Sequence, residues 1–201
     1  MTISRLSCLL AALLALSCAE SGGTVAVDAT YNLTCPDGSA VGCGSLAPDT
    51  CLNVSEDGFF APGWRSIIGS RGDTACNGDV LVVECEAVER PDGRTFISLD
   101  ANIGDEFAFQ LDAILGDGSV EDVCDVTIIE DQAPYDFGVC GIDPPSMEQP
   151  CQLSNVSTAN NEVVFDLECQ GLLSMTSGLG FDVGAVGGGP TTIRFSNCTG
   201  F

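Results

Sequence analysis

The sequence predicts an all-β fold, a disulfide-stapled antiparallel β-sandwich with a jelly roll as one form of it. Short β-type runs recur along the chain, separated by Gly, Pro, Asn and Asp, and helix signals are scarce. Ten cysteines remain as an even set once Cys8 and Cys18, at the N-terminal export signal, are set aside.

The runs fall at 24–33, 79–88, 95–101, 106–115, 122–130, 135–140, 151–157, 162–169, 179–186 and 191–197. Strict alternation shows at Phe107, Phe109 and Leu111, with Ala108, Gln110 and Asp112 between and after them, and again at Ile193 and Phe195. A period of two marks a strand with one buried face. Pro91, Asp92 and Gly93, flanked by Arg90 and Arg94, read as a turn between strands. The glycine-rich stretch 184–190 reads as a flexible turn, since no helix with phosphate ligands follows it.

The N-terminus carries Arg5, then an almost wholly apolar run over 6–16, then Ser17, Cys18 and Ala19. This is the composition of a secretory signal. The run is too short for a membrane span, which takes about 20 residues. Leu14, Ala15, Leu16, Ser17 and Cys18 resemble the lipobox of bacterial lipoproteins, although Ala15 stands where that motif usually has Leu. The resemblance implies that 1–17 is a signal peptide, that Cys18 is the lipidated first residue of the mature chain, and that the membrane is reached through this lipid. It also implies outer-membrane sorting in a Gram-negative cell, from Ala19 after the cysteine. On this reading 18–23 is a tether and 24–201 a single β-sandwich domain. The alternative is ordinary cleavage after Ala19 and free secretion.

Cys8 leaves with the signal peptide. Cys35, Cys43, Cys51, Cys76, Cys85, Cys124, Cys140, Cys151, Cys169 and Cys198 are the disulfide candidates. A zinc site is disfavoured, because the chain has no histidine and no CxxC pair. Two pairings follow from turn positions. Cys124 and Cys140 flank Asp131 to Pro134, and Cys151 and Cys169 flank Thr158 to Glu162. A hairpin turning at each place brings the cysteines opposite each other, within reach of a disulfide.

The chain has 29 acidic residues against six arginines, a net charge of −23. Nucleic acid is excluded as a partner, because phosphate needs a basic face. Electrostatic attachment to anionic lipid fails for the same reason. The acidic excess fits a solvated, repulsive surface, an adaptation to salt, or calcium binding.

Without histidine or lysine, Ser-His, Cys-His and Ser-Lys nucleophile pairs cannot form. Carboxylate chemistry survives, as in glycoside hydrolysis. Acids are everywhere, however, and Trp64, Tyr31 and Tyr135 offer few surfaces for stacking a sugar. The sequence thus points away from an enzyme and names no resident cofactor, with calcium as the one candidate ion. Asp112, Asp117 and Asp122, with Glu121, surround a glycine turn and are hard oxygen donors of the kind calcium takes. They lack the spacing of an EF-hand, and the same residues make an ordinary solvated hairpin loop. Arg71, Gly72 and Asp73 match the integrin-binding tripeptide and are also ordinary loop composition. Sequons begin at Asn32, Asn53, Asn155 and Asn197.

Two stretches echo each other. Cys43-Gly44 leads through a proline loop to Cys51 and later to a strand ending Glu84-Cys85. Cys140-Gly141 leads through another to Cys151 and a strand ending Glu168-Cys169. Convergent composition accounts for this more simply than duplication. The second half is similar, over about a third of the chain, to small Cys-rich β-domain lipoproteins of uncharacterised function from myxobacteria and their relatives. Cys140-Gly141, Pro150-Cys151, Glu168-Cys169 and the 190–198 terminus carry that resemblance, which implies no activity. The expected function is that of a non-catalytic envelope lipoprotein, structural or ligand-binding, with a protein or glycan partner that the residues do not name. A calcium- or glycan-binding module and a carboxylate-dependent glycan hydrolase are the alternatives.

Overall fold

The computed structural model describes residues 23–34, 63–75, 78–104, 107–117, 119–130, 133–141, 145, 149–173 and 180–201. Within them the chain forms eleven strands and no helix. These are β1 (Ala26–Thr34), β2 (Trp64–Ser70), β3 (Leu81–Glu89), β4 (Thr95–Ile103), β5 (Phe107–Gly116) and β6 (Ser119–Glu130), followed by β7 (Ala133–Gly141), β8 (Cys151–Ala159), β9 (Glu162–Leu173), β10 (Gly180–Gly184) and β11 (Thr191–Ser196). The all-β class expected from the sequence is therefore the class found.

Alternation explains why these segments are strands. In β3, Leu81, Val83, Cys85 and Ala87 are buried, while Val82, Glu84, Glu86 and Val88 are exposed. In β9, Val163, Phe165, Leu167 and Cys169 are buried in the same rhythm. β2 has no run in the sequence reading. Its Arg65, Ser66 and Ile67 are buried in succession, so the two-residue period is broken there. It is a strand because Trp64 to Ser70 pair with Asn32 to Ala26 of β1.

The strand order is β10-β1-β11-β9-β8-β7-β6-β5-β4-β3, with β2 beside β1. β3 to β7 form a plain meander, without the crossovers of a jelly roll. All pairings among these strands are antiparallel except β7 with β8, which run parallel at Cys140↔Cys151 and Gly141↔Gln152. The sheet is thus mixed where an antiparallel one was expected. A two-residue hairpin would give an antiparallel pair; the sequence has nine residues, 142–150, between these two strands, three of them proline.

On a flat sheet β5 and β9, four strand positions apart, would stand about 19 Å from each other. Instead the Phe109 ring lies 6.3 Å from that of Phe165 in β9 and 6.4 Å from that of Phe195 in β11. Tyr31 of β1 lies 6.3 Å from Phe107 of β5. The sheet folds over on itself, and residues from both of its arms join one buried cluster. The layers come from one folded sheet, linked through β7.

Among the described residues, three disulfides staple this arrangement: Cys85–Cys198, Cys124–Cys140 and Cys151–Cys169. The last two close the β6–β7 and β8–β9 hairpins, as the turn positions suggest. Cys85–Cys198 joins β3 to the chain beyond β11. Its partner choice breaks the internal echo, since a duplicated unit would have paired Cys85 as Cys169 is paired. Cys35, Cys43, Cys51 and Cys76 lie outside the described residues, as do Cys18 and the signal region.

Candidate functional site

β10 and β11 occupy one slot in the sheet, end to end. Both lie between β1 and β9. Gly184 stands opposite Asn32, and the register of β11 puts Thr191 beside Tyr31, the next residue along β1. Residues 185–190 are therefore looped out of an otherwise continuous strand position. The loop closes on itself through Ala185 N–H to Gly189 O, 2.8 Å, and Gly188 N–H to Ala185 O, 3.0 Å. Gly187, Gly188 and Gly189 all have positive φ. At Gly184 a Cβ would come within 2.5 Å of Gly189 O, so the close return of the loop requires glycine there.

Under this excursion lies a cleft of about 300 Å³, lined by Asn32 and Thr34 of β1, Glu168 and Gln170 of β9, Asp182 of β10 and the glycine loop. A bulge in β9 shapes its floor. The register shifts between Phe181 and Val183, and Gly171 N–H donates to Asp182 Oδ1 at 2.8 Å. Asn32 Oδ1 is buried without a hydrogen-bond partner. The lining contributes two carboxylates and no cation, so the chemistry of the cleft is that of an acceptor: it suits hydroxyl or ammonium donors and repels anions. Sequence reasoning missed it because the slot shared by β10 and β11 is a fact of register. The one available signal was the glycine run at 187–189.

The calcium candidates are placed differently. Asp112 sits within β5 and Asp117 at the turn after it, both exposed. Four strand steps from Asp112 to Gly116 cover about 14 Å, while calcium ligands sit about 2.3–2.6 Å from the ion. An extended strand cannot bring these two carboxylates onto one ion. Asp122 lies in β6. Asp112 instead faces Asp125 across the β5–β6 pairing. Among the described residues, no group of three or more His, Cys, Asp or Glu is arranged to hold a metal.

The tripeptide 71–73 has structural work. Arg71 Nε donates to Val83 O at 2.8 Å, Arg71 Nη2 reaches Glu84 at 3.2 Å, and Asp73 Oδ2 accepts from Ser70 N–H at 2.7 Å. Asn155 and Asn197, two of the sequon asparagines, hold positive φ and donate to Asp166 and to Thr24 O. Asn53 lies outside the described residues. In the 91–93 turn, the hydrogen bond from the Arg94 guanidinium holds the exposed Asp92 carboxyl below its ordinary range. No protein-family model, no curated protein and no solved structure matches this chain.

Proposed function

We propose that this chain is an exported cell-envelope protein without catalysis of its own, anchored through a lipid on Cys18 and structural or ligand-binding in its β part. The observation that carries this reading is the set of three disulfides, whose six cysteines are all buried. Such bonds persist in oxidising compartments, so they are consistent with an extracellular or envelope location. The lipobox-like residues 14–18 supply the anchor, and the absence of histidine and lysine supports a non-catalytic role. Mass spectrometry of the mature N-terminus, with and without globomycin, tests it. A mature chain that begins at diacylglycerol-modified Cys18 is expected, with globomycin leaving the modified precursor uncleaved. An unmodified terminus at Glu20 would replace the anchor with free secretion.

The cleft favours a second reading, a glycan-binding module. Its acceptor lining and its volume suit a single hydroxyl-rich ring. A glycan array probed with the wild-type protein and with Glu168→Gln tests this. Hits weakened by the substitution are expected, and an array without hits would remove the reading.

A further inference from the structure

β3 ends the strand order, so on that path one of its edges has no neighbouring strand. Groups along the length of that edge nevertheless have partners outside the strand order. Leu81 N–H donates to Asp73 O and Leu81 O accepts from Gly72 N–H, both at 2.8 Å. Val83 O accepts from Arg71 Nε at 2.8 Å. Cys85 O accepts from Thr199 N–H at 3.0 Å, and Ala87 N–H donates to Thr199 O at 2.8 Å. This last pair comes from the C-terminal tail, which forms a parallel bridge at Glu86↔Thr199 and is fastened by Cys85–Cys198.

An open strand edge is a template for another chain. The outer side of β3 adds apolar surface, with Val82 and Val88 each 37% exposed and Val80 just before it 50% exposed. Without the tail, Cys85 O and Ala87 N–H would be free. Two copies of this edge, antiparallel about Glu86, would satisfy each other, because residue 85 of each faces residue 87 of the other. Glu86 would then face its own copy, and both chains carry −23, so the pairing would be opposed until salt screens it.

We propose that residues 198–201 are an edge guard: they hold the strand position that a second copy of this chain takes when Cys85–Cys198 is opened. A dithiol reductant opens the bond by giving two electrons and two protons. Both chain sulfurs become thiols and the reductant leaves as its own disulfide. The segment is then held to β3 by the Thr199 hydrogen bonds, and to the β8–β9 turn by Cys198 N–H to Asn161 O, against the entropy it gains on release.

The full chain carrying Cys85→Ser and Cys198→Ser, measured by light scattering, tests this. Expected are a monomer at low salt and a dimer in about 1 M salt, where the Debye length is about 3 Å, with the wild type monomeric in both. Adding Ala87→Pro should return the dimer to monomer, because proline removes the outward N–H that the second copy needs and leaves the β4 side of the strand paired. A monomer at both salts, or association that Ala87→Pro leaves intact, would overturn the proposal. Hydrogen exchange of the wild type at low salt, where no dimer forms, before and after dithiothreitol covers failure of the serine variant to fold. The Ala87 amide should become fast while that of Leu81, held by the 72–73 turn, stays slow. Both slow or both fast would equally overturn it, since the tail would then be irrelevant to the edge or inseparable from the fold.

Discussion

Asp112 of β5 stands directly opposite Asp125 of β6. Both are exposed, and the same row continues through Ser98 of β4 to Glu86 of β3. Like charges paired across strands destabilise a sheet by about 0.2–1 kcal/mol. Asp125→Asn should therefore raise stability by about that amount at low salt, and the gain should vanish in about 1 M salt. Thermal melts of the two proteins at both salts measure it. A gain that ignores salt would show that repulsion is not the cause.

The β8–β9 hairpin turns on Asn160 and Asn161, with φ of 57° and 59° and Ala159 paired to Glu162. Two consecutive positive φ values are what a two-residue hairpin of this hand demands. A β-branched residue pays about 1–2 kcal/mol in that region, whereas glycine pays little. Asn161→Val should cost about 1–2 kcal/mol, and Asn161→Gly should be neutral or slightly stabilising. Urea unfolding of the pair decides this, and equal losses in both would refute the turn argument.

These hairpins show what was legible in the sequence. Asn160 and Asn161 announce a turn, and a turn between cysteines at matched distances implies their pairing. Alternation announced β5 and β11 in the same way. β2 was hidden because Arg65 and Ser66 are buried, which breaks the period that sequence reading relies on. The partner of Cys85 was hidden because it lies 113 residues away and depends on the fold-over of the sheet. The cleft was hidden for a related reason: it exists because β10 and β11 share a slot, and register across non-adjacent segments leaves no local trace. Asp112 and Asp117 misled through proximity in sequence, which an extended strand turns into separation in space.

Phe109 is where the fold-over can be tested. It is fully buried in β5, and its ring neighbours, Phe165 and Phe195, come from the opposite arm of the sheet. Truncating a buried phenylalanine costs about 3–5 kcal/mol, through lost transfer energy and the cavity left behind. For a domain whose total stability is about 5–15 kcal/mol, that is a large share. Phe109→Ala should lose about this much in urea unfolding. Phe109→Leu, which fills much of the space, should lose less. Val88→Ala, at a half-exposed position on the outer side of β3, should change stability by about 0.5 kcal/mol or less. If the two arms did not share a core, Phe109 would have solvent on one side and its truncation would cost little more than that of Val88. A loss below about 1 kcal/mol for Phe109→Ala would therefore contradict the fold-over itself.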